Sequence, residues 1–160
     1  MAPAAVMDGV MKVIDLQHKA RPLVGRIECY WFENEHTGLE MTLFHRIVVP
    51  FSPFDSGLSW VPQPESTELI VEWIELGLSD PADLDGVAIT SGVTPRVEST
   101  IYLGSAHNWV NISEFRLTSE GDGFHVRCRA VIDFQSEGVG RNEPLHFETT
   151  ARYVGCVGES

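Results

Sequence analysis

Phe124-His125-Val126-Arg127-Cys128-Arg129-Ala130-Val131-Ile132-Asp133-Phe134 is the stretch that decides the fold class. Phe124, Val126, Cys128, Ala130, Ile132 and Phe134 fill every second position without a break, and His125, Arg127, Arg129 and Asp133 lie between them. Successive side chains of a strand point to opposite faces, so a period of two marks a strand with one buried and one wet face. Upstream, Glu120-Gly121-Asp122-Gly123 predicts a tight turn, and Trp109 to Leu117 a partner strand. Between Ile112 and Phe115 the alternation slips by one residue, which predicts a bulge at Ser113 or Glu114. Val97 to Leu103 adds a strand before this pair. Leu145, Phe147, Thr149, Ala151 and Tyr153 add one after it, beyond a loop that carries Gly138 and Gly140.

The N-terminal third repeats the pattern. Leu23 to Trp31 alternates, the turn-like Glu33-Asn34-Glu35-His36-Thr37-Gly38 follows, and Leu39 to Phe51 alternates again, which predicts a hairpin. Its second face carries Tyr30, Phe32, Phe44 and Val48, too apolar to be left in water. A second sheet, the Val10 to Leu16 run, or a partner is expected to cover it, and a homo-oligomer through Tyr30, Phe32 and Phe44 is one such arrangement. Pro50, Pro53, Pro62 and Pro64 around Trp60 predict a long irregular connection, because proline lacks the amide donor of a ladder.

Glu68 to Leu76 reads two ways. Glu68, Glu72 and Glu75 recur as on one helix face, but Ile70, Val71, Trp73 and Ile74 favour a strand, and apolar residues surround the whole helical circumference. Ser79-Asp80-Pro81 predicts a helical turn over Pro81 to Leu84. The expected fold is mainly β: an antiparallel β-sandwich or partly open barrel with at most one or two short helices, as a single domain over 1–160. An α+β sheet with a helix at about 67–77 is the alternative.

Against 23 acidic residues stand 11 Lys and Arg, a formal charge of -12. Such a surface repels phosphates at long range, and no basic patch is evident in the sequence, so no nucleic-acid partner is expected. The excess is concentrated: residues 65–95 hold Glu65, Glu68, Glu72, Glu75, Asp80, Asp83 and Asp85 with no Lys or Arg. No apolar run reaches the roughly 20 residues of a membrane span, and Met1 to Val10 lacks the basic and apolar regions of a leader. An odd set of three cysteines without Cys-x-x-Cys spacing, Cys29, Cys128 and Cys156, predicts free thiols. A cytoplasmic location follows as the expectation.

Signatures of metallopeptidases, serine hydrolases and nucleotide-binding loops are absent from the sequence. Asp80, Asp83, Asp85 and Gly86 resemble a calcium loop only superficially, since Pro81 and Gly92 stand where an EF-hand frame needs its first and last ligands. No metal or cofactor is therefore expected. The polar face of the C-terminal sheet offers catalytic candidates. If Leu117 faces Phe124 and Phe134 faces Leu145, Asp133 lies opposite His146, and Arg129 diagonal to Glu148. A carboxylate that orients a histidine is what general acid–base chemistry needs, and His107, His125, Asp133, His146 and Glu148 are the groups concerned. Alternating charge on a wet sheet face is the plainer account. His45 belongs to an apolar set and reads as a core residue, and Ser105 to Trp109 as a loop or strand start.

Two functions follow as expectations. The first is a non-enzymatic acidic binding module, of the kind an immunity-type inhibitor of a basic toxin represents, that receives a basic protein through segment 65–85. The second is a small β-sandwich enzyme or ligand-binding domain built on the histidines and carboxylates of the C-terminal sheet.

Overall fold

The strands form because their sequences alternate, and the fold depends on how they close. A computed structural model describes residues 6–7 and 10–158, so most of the stretch read for a leader lies outside the described residues. In order these are β1 (Val6–Met7), β2 (Val10–Met11), α1 (Leu16–Lys19), β3 (Gly25–Asn34), β4 (Leu39–Pro50), β5 (Glu68–Ile74), β6 (Ala88–Ile89), β7 (Glu98–Leu103), β8 (Ala106–Glu120), β9 (Gly123–Asp133) and β10 (Glu143–Cys156). Strands β3, β4, β5, β7, β8, β9 and β10 pair in the ring order β8-β7-β5-β4-β3-β10-β9, and β9 returns to β8. The sheet is thus a closed seven-stranded barrel rather than a sandwich. Every pairing in the ring is antiparallel except β10 with β3, which is parallel.

Bulges bend the wall into a ring. The expected slip in β8 is present between Ile112 and Glu114, and further register shifts interrupt β4–β5 at His45/Ile47 and β10–β3 at Tyr153/Gly155. Residues 68–74 form a strand, and the helix at about 67–77 is corrected. Leu69, Val71 and Ile74 are buried in the core, while Trp73, at φ 62°, packs on Tyr30, Phe32 and Phe44 outside the barrel. This use of both faces explains an apolar pattern that runs all the way round. It also supplies the missing cover: Trp73 stacks edge-on against Phe44, which is fully buried, so the aromatic face of the first hairpin is closed largely from within the chain. Phe32 keeps 36% of its surface exposed.

Two irregular plugs seal the barrel. At one end Ile14, Leu16, Phe54, Leu58 and Val139 join the core, and the Glu143 carboxylate accepts the backbone N–H groups of Asp15 and Leu16 at 2.8 Å each. At the other end residues 75–87 cross the mouth, with Leu84 buried and Leu76 and Leu78 packed on the core. Pro81 to Leu84 forms turns here rather than the expected helical turn, because Asp80 Oδ1 accepts the Ala82 N–H and holds the chain in a side-chain-bonded turn. Between β7 and β8, Gly104 and Ser105 both take positive φ (65° and 60°), the two-residue turn whose twist suits a hairpin.

The parallel seam overturns the expectation for two thiols. Cys29 and Cys156 are in register across β3 and β10, with Cα atoms 4.1 Å apart, and form a disulfide; Cys128 alone stays reduced. Two residues 127 positions apart gave no spacing from which the sequence could announce the bond. The free-thiol argument for a cytoplasmic location falls with it, since disulfides persist mainly in oxidising compartments. No helix among the described residues is long and apolar enough to cross a membrane.

A cross-link closing a loop this long stabilises by roughly 3–5 kcal/mol in the chain-entropy account. The double variant Cys29→Ser/Cys156→Ser is expected to lose about that much in urea unfolding. Thiol titration of the denatured, unreduced protein should find one reactive group per chain; three would disprove the bond.

Candidate functional site

Topology gathers charge at one end. The strands on either side of the first hairpin stop short of its tip: β10 ends where Cys156 meets Cys29, and β5 pairs with β4 only from His45 onward. Residues 31–43 therefore project beyond the wall. Residues 75–87 cross the same end, and the β8–β9 turn points there too. These three segments present Glu33, Glu35, Glu40, Glu75, Asp80, Asp83, Asp85, Glu120 and Asp122, all exposed, and residues 33–40, 75–87 and 120–123 contain no Lys or Arg. Amid them Trp31 and Met41 are 52% and 54% exposed and, with Leu43, Leu76 and Leu78, line a cleft of about 290 Å³ between hairpin and strap.

The base of the projection is held by polar contacts. Glu28 is only 7% exposed, and its carboxylate accepts a hydrogen bond from Arg46 at 2.9 Å, while the Arg46 guanidinium lies 4.6 Å from the centre of the Tyr30 ring. Burial opposes the Arg46 charge, but the bond to Glu28 and the nearby Glu72 outweigh it and raise its pKa. Burial likewise pushes the Tyr30 phenol up, and its oxygen accepts the Trp73 N–H at 3.3 Å.

The acidic segment read from the sequence does not act as one unit. Glu75, Asp80, Asp83 and Asp85 lie at the acidic end; Asp85 Oδ1 accepts the Ser119 N–H, and Glu75 pairs with Arg96 at 2.6 Å. Glu65 sits at the opposite end, where it accepts hydrogen bonds from Ser56 Oγ and the Gly104 N–H. Glu68 lines a shallow cleft with Phe51 and Tyr102, and Glu72 lies on the outer wall, 3.9 Å from Arg46 and opposite Glu98. Sequence reasoning missed Glu33, Glu35, Glu120 and Asp122, which it treated only as turns, and Glu40, which it left within the second strand of the hairpin.

On the C-terminal wall the catalytic pairing is corrected. Leu145 pairs with Ala130, not Phe134, and Leu117 with Val126, not Phe124. These slips of four and two residues keep each residue on its face but change its neighbour. The physical cause of the first is the loop after β9, in which the Asp133 carboxylate caps the Ser136 N–H and hydroxyl. Those bonds hold the Asp133 pKa below the ordinary carboxylate value. Asp133 thus faces Trp109, His146 faces Arg129, and the histidine–carboxylate contact that does form is His125 Nε2 with Glu148 at 2.8 Å. His107 lies apart on β8 against Tyr102, ring centres 4.7 Å apart. Asn108, expected near a loop, is buried in β8, with its amide nitrogen within hydrogen-bonding distance of the Ile101, Leu103 and Ala106 carbonyls. The Cys128 thiol, pushed up to about 12 by burial and then by Glu114, is a packing group.

No family model matches the chain, and no curated protein or solved structure gives a match. What the chain's own geometry defines is a plugged β-barrel whose distinctive chemistry lies on its outside.

His45 faces inward and is 2% exposed. Its Nε2–H donates to the Pro81 carbonyl at 2.8 Å, which ties the strap across the mouth, and Nδ1 has no hydrogen-bond partner among the described residues. Burial, only partly offset by that bond, lowers its pKa. Its neutral form therefore stabilises the fold fully above the unfolded value of about 6.5, and that contribution is lost as the pH falls through the lower folded value. Comparing urea midpoints between pH 7.5 and 5, the wild type should lose more stability than His45→Gln. Equal losses would contradict the assignment.

Proposed function

We propose that this chain is a non-enzymatic binding module that receives a basic protein partner on its acidic end. The observation that carries this reading is the exposed pair Trp31 and Met41 set among nine exposed carboxylates from three separate segments. Exposed aromatic and methionine side chains supply the desolvated centre of an interface, while a rim of one charge steers a partner of the opposite charge and rejects its own kind. The projecting hairpin offers free backbone edges beside them, a second means of engaging a partner strand.

The barrel interior supports a surface role, being filled by buried side chains such as Phe115, Leu117, Ile132 and Leu145. The histidines support it too: His45 is in the core, His107 on β8, and His125 and His146 are committed to different rows of the C-terminal wall. An inhibitor that occupies the active cleft of a basic enzyme would use such an end in the manner of an immunity protein. The disulfide favours an oxidising compartment as the place of action.

Affinity capture on immobilised protein at low salt tests the proposal. Wild type is expected to retain a basic protein that elects elution by moderate salt, and Trp31→Ala/Met41→Ala is expected to weaken retention at least tenfold, as loss of interface anchors does. Retention of the same protein by the variant, or of none by the wild type, would overturn it.

A further inference from the structure

The C-terminal wall, blank to the proposed function, has the opposite polarity. Arg116 on β8 is in register with Arg127 on β9, and Arg129 follows two residues along the same outer face. All three converge on one side chain: the Nε atoms of Arg116, Arg127 and Arg129 lie 3.8, 3.5 and 3.7 Å from the Glu114 carboxylate. These separations are beyond ordinary hydrogen bonds. Each guanidinium carries five donors, is about half exposed, and makes no closer ion pair and no side-chain hydrogen bond among the described residues. Glu114 thus marks where negative charge is stabilised but supplies only one charge to three cations. Beside it, Arg127, Arg129, His146, Phe147 and Glu148 line a cleft of about 220 Å³, and the Glu148 carboxylate at its rim lies 2.8 Å from His125 Nε2. The sequence had shown no basic patch; the β8–β9 register creates one.

The net charge of -12 does not cancel this field. The nine carboxylates sit at one end of the barrel, and Debye screening at physiological ionic strength acts over about 8 Å. A group entering the cleft meets Arg127 and Arg129, with His146 beside them and Glu148 at the rim. Planar guanidinium forks match tetrahedral oxyanions and carboxylates, and an array of three suits a group with more than one charge.

We propose that Arg127 and Arg129, flanked on β8 by Arg116, form an anion site that takes a tetrahedral oxyanion, a phosphate or sulfate group, in the cleft beside His146. Glu114 is its internal competitor, holding the guanidiniums together while the site is empty of ligand and yielding them when a stronger anion arrives. The cleft lies between β9 and β10, while Arg116, in register with Ala88, borders the 75–87 strap.

Titration of the full chain with inorganic phosphate, followed by amide chemical shifts at constant ionic strength against chloride, tests this. A parallel titration with inorganic sulfate distinguishes the two anions. Saturable shifts confined to residues 113–117, 125–129 and 146–148 are expected. Arg127→Gln/Arg129→Gln should weaken binding at least tenfold, about 1.4 kcal/mol, through the loss of charge-assisted bonds. Glu114→Gln should tighten it, an outcome a purely structural Glu114 would not give. Absence of saturable shifts with both anions, affinity unchanged in the double arginine variant, or weaker binding by Glu114→Gln would each overturn the proposal.

Discussion

The parallel pairing of β3 with β10 is the constraint on which the rest of the structure depends. It is the one contact in the ring that joins strands from opposite ends of the chain side by side in the same direction. Without it the sheet has two open edges, β3 and β10, and the inward faces of both lose their enclosure. Bringing such distant segments together costs loop-closure entropy, which the Cys29–Cys156 bond removes from the folding balance once formed. The seam also sets the shape of the outside. Because β10 ends at Cys156, β3 runs on alone with β4, and a hairpin bearing Trp31 and Met41 stands clear of the wall.

Closure explains why the chemistry is external. A seven-stranded ring leaves an interior just wide enough for side chains, and here Phe, Leu, Ile and Val residues fill it while irregular segments seal both mouths. Charge is then sorted by topology. In a ring of hairpins alternate turns fall at the same end, so the acidic residues of the 33–40 and 120–123 turns and of the 75–87 strap meet although they are far apart in sequence. The arginines of β8 and β9 alternate outward along a strand and gather on a wall. A single net charge conceals two surfaces of opposite sign.

What the sequence made legible was local. Period-two alternation found β4, β7, β8, β9 and β10, the Gly121-Asp122 turn followed from its residue types, and the slip near Ser113 announced the bulge at Ile112/Glu114. Pairings that depend on distant segments were not legible. An even slip in register keeps the same faces, so the polar wall was read with the right members and the wrong neighbours: Asp133 went to Ser136, not His146. The disulfide and the barrel closure were hidden for the same reason. Of the candidate site, Glu75, Asp80, Asp83 and Asp85 were visible as a run, but Glu33, Glu35 and Glu40 join them only through the projection of the hairpin.

Amide hydrogen exchange across the seam is the most direct test of this account. If β3 and β10 close the barrel, amides hydrogen-bonded between residues 25–29 and 151–156 should be protected to the level of those joining β8 and β9, which approaches global stability in a core sheet. Exchange at the rate of solvent-facing edge amides in the oxidised protein would contradict it: the barrel would be open, and the projection of the first hairpin would have no structural basis.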